Sequence, residues 1–182
     1  MSSRGQRRAP LIAGIVGCAV FALVLLFVVS PKGGESKVSS PLLGKLAPAL
    51  SGATLASQEF NIDSLRGQWV LVNFFATWCP PCVVEHPELI KLSESSGTTG
   101  LSVVSVAFDD SSTNVAKFFA DNGGDWPVLT QDTGAVALDY GVKGLPESFL
   151  IDPAGKVAAK FEGGITAEAM KEYLAQFTGE GS

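Results

Sequence analysis

The chain has 182 residues, which is enough for one domain and a tail. Hydrophobic residues make up 46% of it, and the excess is concentrated near the N-terminus. The formal net charge is −5, and every acidic residue follows that apolar segment, which argues against a nucleic-acid partner.

The apolar segment, residues 11–29, carries no charged side chain and is long enough to span a bilayer. Arg4, Arg7 and Arg8 precede it, and no acid does. The positive-inside rule then places the N-terminus in the cytoplasm and the bulk of the chain outside it. We therefore predict a single-pass protein of the cell membrane. The alternative is a cleaved signal peptide, although the segment is longer than a usual signal sequence and no clear Ala-x-Ala site follows it.

These features divide the chain into four predicted parts. They are a cytoplasmic basic tail at residues 1–10, a transmembrane anchor at residues 11–29, a flexible linker at residues 30–40 and a globular domain at residues 41–178. The linker is predicted from its Pro, Gly, Ser and Lys content. Cys18 follows Ile-Val-Gly in the pattern of a lipoprotein box, but the apolar run continues past it, so we interpret it as a membrane-buried residue without chemistry.

The globular part alternates between predicted strands and helices. The predicted strands are residues 53–55, 69–76, 101–108, 126–129, 147–151 and 157–161, with a short strand and turn at residues 60–65. The predicted helices are residues 80–95, 112–121, 133–140 and 166–177, and residues 95–100 are predicted as a loop. Helical spacing places Val84 on the apolar side of the first helix and Phe177 on the inward side of the last. Asp-Pro-Ala-Gly at residues 152–155 has the proline and glycine positions of a tight turn, so the last two strands should form a hairpin. This order predicts an α/β sandwich in which helices flank a mixed central sheet.

The motif Trp-Cys-Pro-Pro-Cys at residues 78–82 joins a buried strand to a helix. At this spacing Cys79 and Cys82 can reach each other as a disulfide. Because Cys79 lies at the helix N-terminus, the helix dipole and the free N–H groups favour its thiolate. A thiolate is both a better nucleophile and a better leaving group, as reversible thiol–disulfide exchange requires. Pro80 and Pro81 fix the backbone of the first turn.

The cysteine pair has two other interpretations. A zinc site needs four ligands, and the only further cysteine and histidine, Cys18 and His86, do not complete one. A purely structural disulfide would close a loop too short to constrain much of the unfolded chain. We therefore predict no metal and no separate cofactor, only a redox-active disulfide between Cys79 and Cys82.

The strand–Trp-Cys-x-x-Cys–helix unit resembles the thioredoxin-fold oxidoreductases. A second element supports the resemblance: Tyr-Gly-Val-Lys-Gly-Leu-Pro at residues 140–146, followed by a strand, looks like the thioredoxin segment that ends in a cis-proline. The resemblance implies a cis bond before Pro146, a loop that faces the dithiol, and backbone hydrogen bonds from Leu145 to a substrate peptide. Trp78 would cover the dithiol, and Pro80 and Pro81 would adjoin the substrate.

Three departures from thioredoxin narrow the resemblance. They are the predicted anchor, an insertion before the cis-proline loop, and Asn73 where thioredoxin has a buried aspartate. Together with Gly-Lys-x-Ala-Pro at residues 44–48 and Gly-Val-x-Gly-x-Pro-Glu-x-Phe-Leu-Ile-Asp at residues 141–152, they resemble the membrane-anchored TlpA/ResA/CcmG (DsbE) group. The resemblance covers residues 43–177, and Glu147 is similar to the CcmG branch in particular.

This resemblance assigns roles to the site residues. Cys79 would be the exposed attacking thiol and Cys82 the more buried resolving thiol. Glu85, on the same helix face as Cys82, would exchange its proton. Glu147 would either lie beside the dithiol, where its charge disfavours thiolates, or be a solvated edge-strand residue. His86 is interpreted as a partly exposed helix residue.

The resemblance implies an extracytoplasmic thiol–disulfide oxidoreductase that reduces apocytochrome c, or another exported thiol protein, for haem attachment. A membrane thiol-electron transporter of the CcdA/DsbD type would supply electrons. An alternative within the fold is an oxidant that introduces disulfides into exported proteins, because the motif does not set the redox direction. A peroxidase lacks its expected motif here, and a metallochaperone lacks a distant histidine.

Overall fold

A computed structural model describes residue 18, residues 20–22 and residues 36–178. The chain separates into two units, Met1–Gly33 and Gly34–Ser182. In the first unit the four described residues are helical.

The predicted membrane anchor falls entirely within the residues of the first unit. Among the residues that the structure describes, no helix is long and apolar enough to cross a membrane. The basic tail at residues 1–10 and all but four residues of the anchor at residues 11–29 lie outside the described residues. Both stay predictions.

A six-stranded sheet forms the centre of the second unit, and a separate two-stranded sheet is formed by two strands early in the chain. The strands are β1 (Ser36–Lys37), β2 (Ser51–Ala53), β3 (Glu59–Asn61), β4 (Trp69–Phe75), β5 (Leu101–Ala107), β6 (Val128–Leu129), β7 (Glu147–Ile151) and β8 (Val157–Glu162). The large sheet has the order β1-β8-β7-β4-β5-β6, and β2 pairs with β3. Strand β4 runs parallel to β5 and antiparallel to β7, so the predicted mixed sheet is confirmed.

Helices cover both faces of the large sheet. They are α1 (Pro80–Glu94), α2 (Ser96–Thr99), α3 (Ser112–Asn122), α4 (Thr133–Tyr140) and α5 (Ala167–Thr178), with a 3-10 helix at Ile62–Leu65. Successive side chains of a strand point to opposite faces. Leu71 of β4 packs with Leu89 of α1 and Met170 of α5, whereas Val72 packs with Tyr140 of α4. Strand β4 is therefore buried on both sides, which explains its nearly continuous apolar sequence.

The segment predicted as an insertion before the cis-proline loop contains α3, β6 and α4. Strand β6 extends the sheet beside β5. Helix α4 has the predicted bounds, and β7 and β8 form the predicted hairpin. In the turn of that hairpin Gly155 has a φ of 82°, and the Arg66 guanidinium fills the space that a Cβ atom would need.

Three predictions about local structure are wrong. The linker at residues 30–40 ends earlier than predicted, because Ser36 and Lys37 form β1 and pair with β8. Residues 96–99 form a short helix instead of a loop. Phe177, expected to point inward from the last helix, is 54% exposed, and its ring contacts Trp69 at the surface instead.

Both edges of the large sheet are short. Strands β1 and β6 each have two residues. On the outer side of β6, the Leu55 N–H donates a hydrogen bond of 2.8 Å to the Val128 carbonyl oxygen, so the segment after β2 covers this edge.

Candidate active site

The end of β4 delivers the cysteine pair to the start of α1. Directly after β4, the N–H and hydroxyl of Thr77 each donate a 2.7 Å hydrogen bond to Asp110 Oδ2. Cys79 is the N-cap of α1, and its Sγ accepts the Cys82 N–H at 3.3 Å. The two cysteines form a disulfide with an S–S distance of 2.09 Å and a Cα–Cα distance of 5.3 Å.

Burial does not distinguish the two cysteines. Each is only 4% exposed, so the prediction that Cys79 is the more exposed of the pair is wrong for this disulfide form. The helix distinguishes them instead. Because the Cys79 sulfur accepts an N–H of the first turn, a thiolate formed there gains a hydrogen bond and the favourable end of the helix dipole.

An exposed apolar surface surrounds the disulfide. Trp78 is 58% exposed, and its Nε1–H donates to the Asp109 carbonyl oxygen at 2.9 Å, which fixes the indole beside the cysteines. Pro80 and Pro81 are also exposed. Val84 is 77% exposed, whereas helix spacing suggested a buried side chain. The start of α1 therefore presents apolar groups at the surface.

Glu85, on the helix that carries Cys82, belongs to a buried polar cluster. It is 3% exposed; Oε1 accepts the Ile165 N–H at 2.9 Å, and Oε2 accepts Asn73 Nδ2–H at 3.0 Å. Asn73 Nδ2 also lies 3.0 Å from Ser148 Oγ. Asn73 of β4 thus contacts the helix that carries Cys82 through Glu85, which is buried. Ser148 was missed, because only the β4–β7 register places it opposite Asn73.

The cis-proline loop lies beside the cysteines. The Leu145–Pro146 peptide bond is cis, as predicted. Leu145 packs against the hydrophobic cluster that contains Cys79 and Cys82. The Pro146 carbonyl oxygen accepts the Gly163 N–H at 3.0 Å.

The interpretation of Glu147 as a solvated edge-strand residue is wrong, and its carboxylate is paired with a cation. The side chain is 3% exposed, so it is no solvated edge residue, and its carboxylate does not stand free to repel a thiolate. Glu147 Oε1 accepts the N–H groups of Lys143 and Gly144, and Oε2 forms an ion pair of 2.8 Å with Lys160 Nζ. Lys160 was missed by the sequence analysis, because its burial follows from the β7–β8 register.

Asp110 was also missed by the sequence analysis. Burial tends to raise the pKa of this carboxyl, but hydrogen bonds from Thr77, Asn114 and the Ser111 N–H outweigh that effect and hold the pKa below its ordinary value. Asp110 therefore stays ionised and anchors the backbone just before Trp78.

His86 is buried, not partly exposed as predicted. It is 4% exposed, its Nε2 lies 2.9 Å from the Gly123 carbonyl oxygen, and its ring packs among Phe118, Phe119 and Trp126. Desolvation lowers the pKa of His86 below 6.5, although the hydrogen bond to Gly123 acts in the opposite direction. The neutral ring thus ties α1 to the end of α3.

This burial predicts a pH-dependent stability. The unfolded histidine binds its proton near pH 6.5 and the folded one only below that value, so the stabilisation is complete above about pH 6.5 and is lost as the pH falls further. Urea unfolding between pH 5 and 7.5 should show this loss. His86→Gln keeps a donor for Gly123 and does not titrate, so its stability should vary less over the same range. Equal pH dependence in both proteins would contradict the prediction.

A redox-active disulfide that caps a helix, adjoins a cis-proline loop and follows the central strand of a thioredoxin-like sheet defines a thiol–disulfide oxidoreductase. The sequence profile described as Redoxin matches residues 42–176, and the chain belongs to this family.

Curated relatives and solved structures agree with this assignment. The thiol:disulfide interchange protein HelX of Rhodobacter capsulatus is 34% identical, over 90% of this chain and 89% of its own length. The thiol-disulfide oxidoreductase ResA of Bacillus cereus is 30% identical, over 87% of this chain and 96% of its own. The crystal structure of a putative thiol:disulfide interchange protein DsbE from Chlorobium tepidum has a TM-score of 0.65 at 31% identity, covering 74% of this chain and 93% of that one. The chain is thus a thiol–disulfide oxidoreductase of the DsbE, ResA and HelX type.

Proposed function

We propose that this oxidoreductase works outside the cytoplasmic membrane. It reduces the disulfide between the haem-binding cysteines of apocytochrome c, or a disulfide in another exported thiol protein. The observation that carries the proposal is the Cys79–Cys82 disulfide beside the cis-proline loop, at the start of the helix that also carries buried Glu85. The similarity to HelX, ResA and DsbE supports it.

The reaction uses the reduced pair. The Cys79 thiolate attacks one sulfur of the substrate disulfide, a mixed disulfide forms, and the first substrate thiolate leaves. The Cys82 thiol then loses its proton to Glu85 and attacks Cys79 Sγ, which releases the second substrate thiolate. The substrate disulfide gains two electrons and becomes two thiols, while Cys79 and Cys82 become a disulfide.

The oxidised enzyme needs a reductant on the same side of the membrane. A membrane thiol-electron transporter of the CcdA/DsbD type would return two electrons to the Cys79–Cys82 disulfide. The exposed apolar surface formed by Trp78, Pro80, Pro81 and Val84 is available to such a partner and to the substrate.

The equilibrium potential of the cysteine pair tests the direction of the reaction. We expect a reducing value, near that of thioredoxin at about −270 mV, when the full chain is equilibrated against glutathione or dithiothreitol. A value near that of DsbA, about −120 mV, would overturn the proposal in favour of an oxidant for exported proteins.

We also propose that the catalytic domain lies outside the cytoplasm, anchored to the cell membrane. The uncharged segment at residues 11–29 and the three arginines before it support this orientation. A reporter fused after Ser182 should be active only if it works outside the cytoplasm. Activity of a reporter that works only in the cytoplasm would refute this orientation.

A further inference from the structure

Lys160 of β8 is a buried cation in the centre of the hairpin. Its side chain is 3% exposed, which is rare for lysine unless the charge is paired. Its Nζ lies 2.8 Å from Glu147 Oε2 and 3.3 Å from Glu162 Oε1, and it donates to the Gly141 carbonyl oxygen at 3.4 Å. The charge is therefore compensated on several sides.

The strand register explains why a cation is needed there. Glu147 of β7 stands directly opposite Glu162 of β8, and two like charges in such a cross-strand pair repel each other. Lys160 stands opposite Phe149, two residues away on the same face, so its ammonium reaches both carboxylates. Lys160 thereby allows an acid to be buried at position 147.

The buried acid holds the backbone of the cis-proline loop. Glu147 Oε1 accepts the N–H groups of Lys143 and Gly144 at 3.0 Å and 3.1 Å. Lys160 binds the Gly141 carbonyl oxygen at the other end of the same segment. The ion pair thus contacts the loop at its beginning and at the two residues before Leu145.

The loop presents a free backbone edge at the redox centre. Leu145 packs against the cluster that contains both cysteines. Within residues 36–178 neither its N–H nor its carbonyl oxygen has a hydrogen-bond partner. An extended peptide that pairs with such a free edge is held by main-chain hydrogen bonds, and here its disulfide would be brought to Cys79.

We propose that Lys160 is a positioning residue for peptide substrates: by its ion pair with Glu147 it fixes the segment 141–146 so that Leu145 can pair with a substrate strand. Lys160 lies on the sheet face opposite the Glu85 cluster and takes no part in electron or proton transfer. A purely stabilising role explains the arrangement less well, because apolar residues of similar volume often stabilise a core as much as a buried ion pair does. The proposal rests on dithiol–disulfide exchange but not on the identity of the natural substrate.

Two disulfide substrates separate positioning from chemistry. The reduced full chain would be reacted with insulin, whose peptide disulfide must dock, and with 5,5′-dithiobis(2-nitrobenzoate), a small disulfide that has no peptide strand to pair. Lys160→Met should slow the reaction with insulin by roughly ten- to a hundred-fold, the range in which misplacement of a substrate acts. The reaction with the small disulfide and the equilibrium potential should be unchanged.

Two further variants make the test decisive. Lys156→Met removes an exposed lysine from the same hairpin and should leave both reactions unchanged. Glu147→Leu/Lys160→Met leaves no unpaired charge in the core, so it tests the proposal even if Lys160→Met alone does not fold. It should lose the insulin reaction selectively. The proposal would be overturned if the folded Lys160 variants reduced insulin at the normal rate, or if they lost the reactions with both substrates equally. Neither outcome changes the equilibrium potential, which tests the proposed function separately.

Discussion

Replacing Cys79 with serine should abolish dithiol–disulfide exchange, whereas replacing Cys82 with serine should yield a protein that traps its substrate. Cys79 caps α1, where its thiolate is stabilised, so it is the thiol that attacks. Without Cys82 the attack still occurs, but no second thiol resolves the mixed disulfide. Non-reducing electrophoresis after incubation with insulin should show the covalent complex for Cys82→Ser and none for Cys79→Ser.

The third cysteine provides the control for this experiment. Cys18→Ser should leave exchange unchanged, and combining it with each active-site variant excludes trapping through Cys18. If the complex formed with Cys79→Ser and not with Cys82→Ser, the two roles would be reversed. Because the two cysteines are equally exposed, burial alone does not predict which one attacks the substrate, and the experiment decides between them.

Replacing Glu85 with glutamine should slow exchange near neutral pH by about a hundred-fold, the lower range of general acid–base effects. The proton of Cys82 must leave before the mixed disulfide resolves, and an amide cannot accept it. Asn73 cannot accept it either, although it occupies the position of the thioredoxin aspartate. Stopped-flow measurement of mixed-disulfide resolution between pH 6 and 9 would give the rate.

The structure shows that Glu85→Gln should also lower the stability of the protein, which the sequence did not indicate. Both oxygens of Glu85 are acceptors, from the Ile165 N–H and from Asn73 Nδ2–H, and a glutamine supplies only one oxygen. One buried donor therefore loses its partner, which should lower the free energy of unfolding by about 1–3 kcal/mol. Denaturant unfolding would measure this loss separately from the rate.

Asn73→Asp/Glu85→Gln is the matched control. The glutamine oxygen can accept from the Ile165 N–H, and both the glutamine NH₂ and the Ser148 hydroxyl can donate to the carboxylate oxygen that replaces Asn73 Nδ2. The hydrogen bonds to Ile165, between positions 73 and 85, and to Ser148 are then kept, and the carboxylate has moved from helix to strand. Stability should recover, and the rate should recover in part. A Glu85→Gln variant with an unchanged rate would show that Glu85 is only a structural acid.

The elements with strong local signals were predictable from the sequence. Helix α4 has the predicted bounds, and the β7–β8 hairpin follows from the turn at residues 152–155. The cysteine pair and the cis bond before Pro146 follow from spacing and from the resemblance to a known family.

The environment of the charged residues was not predictable, because it depends on contacts between distant strands. Glu147 could be understood only after the β7–β8 register placed Lys160 near it. Likewise, the partner of Thr77 is Asp110, which comes from the end of the neighbouring strand β5. Val84 shows the converse case: helical spacing suggested burial, but no element of the described chain covers it.

The short edges of the central sheet have a consequence for partner choice. A long exposed edge would accept any extended chain, including another copy of this protein, and would invite aggregation. Here β1 and β6 offer two residues each, and the segment after β2 occupies the outer side of β6. Strand addition is thereby discouraged at the sheet, and under our proposal an arriving peptide pairs instead with the backbone at Leu145, beside the cysteines.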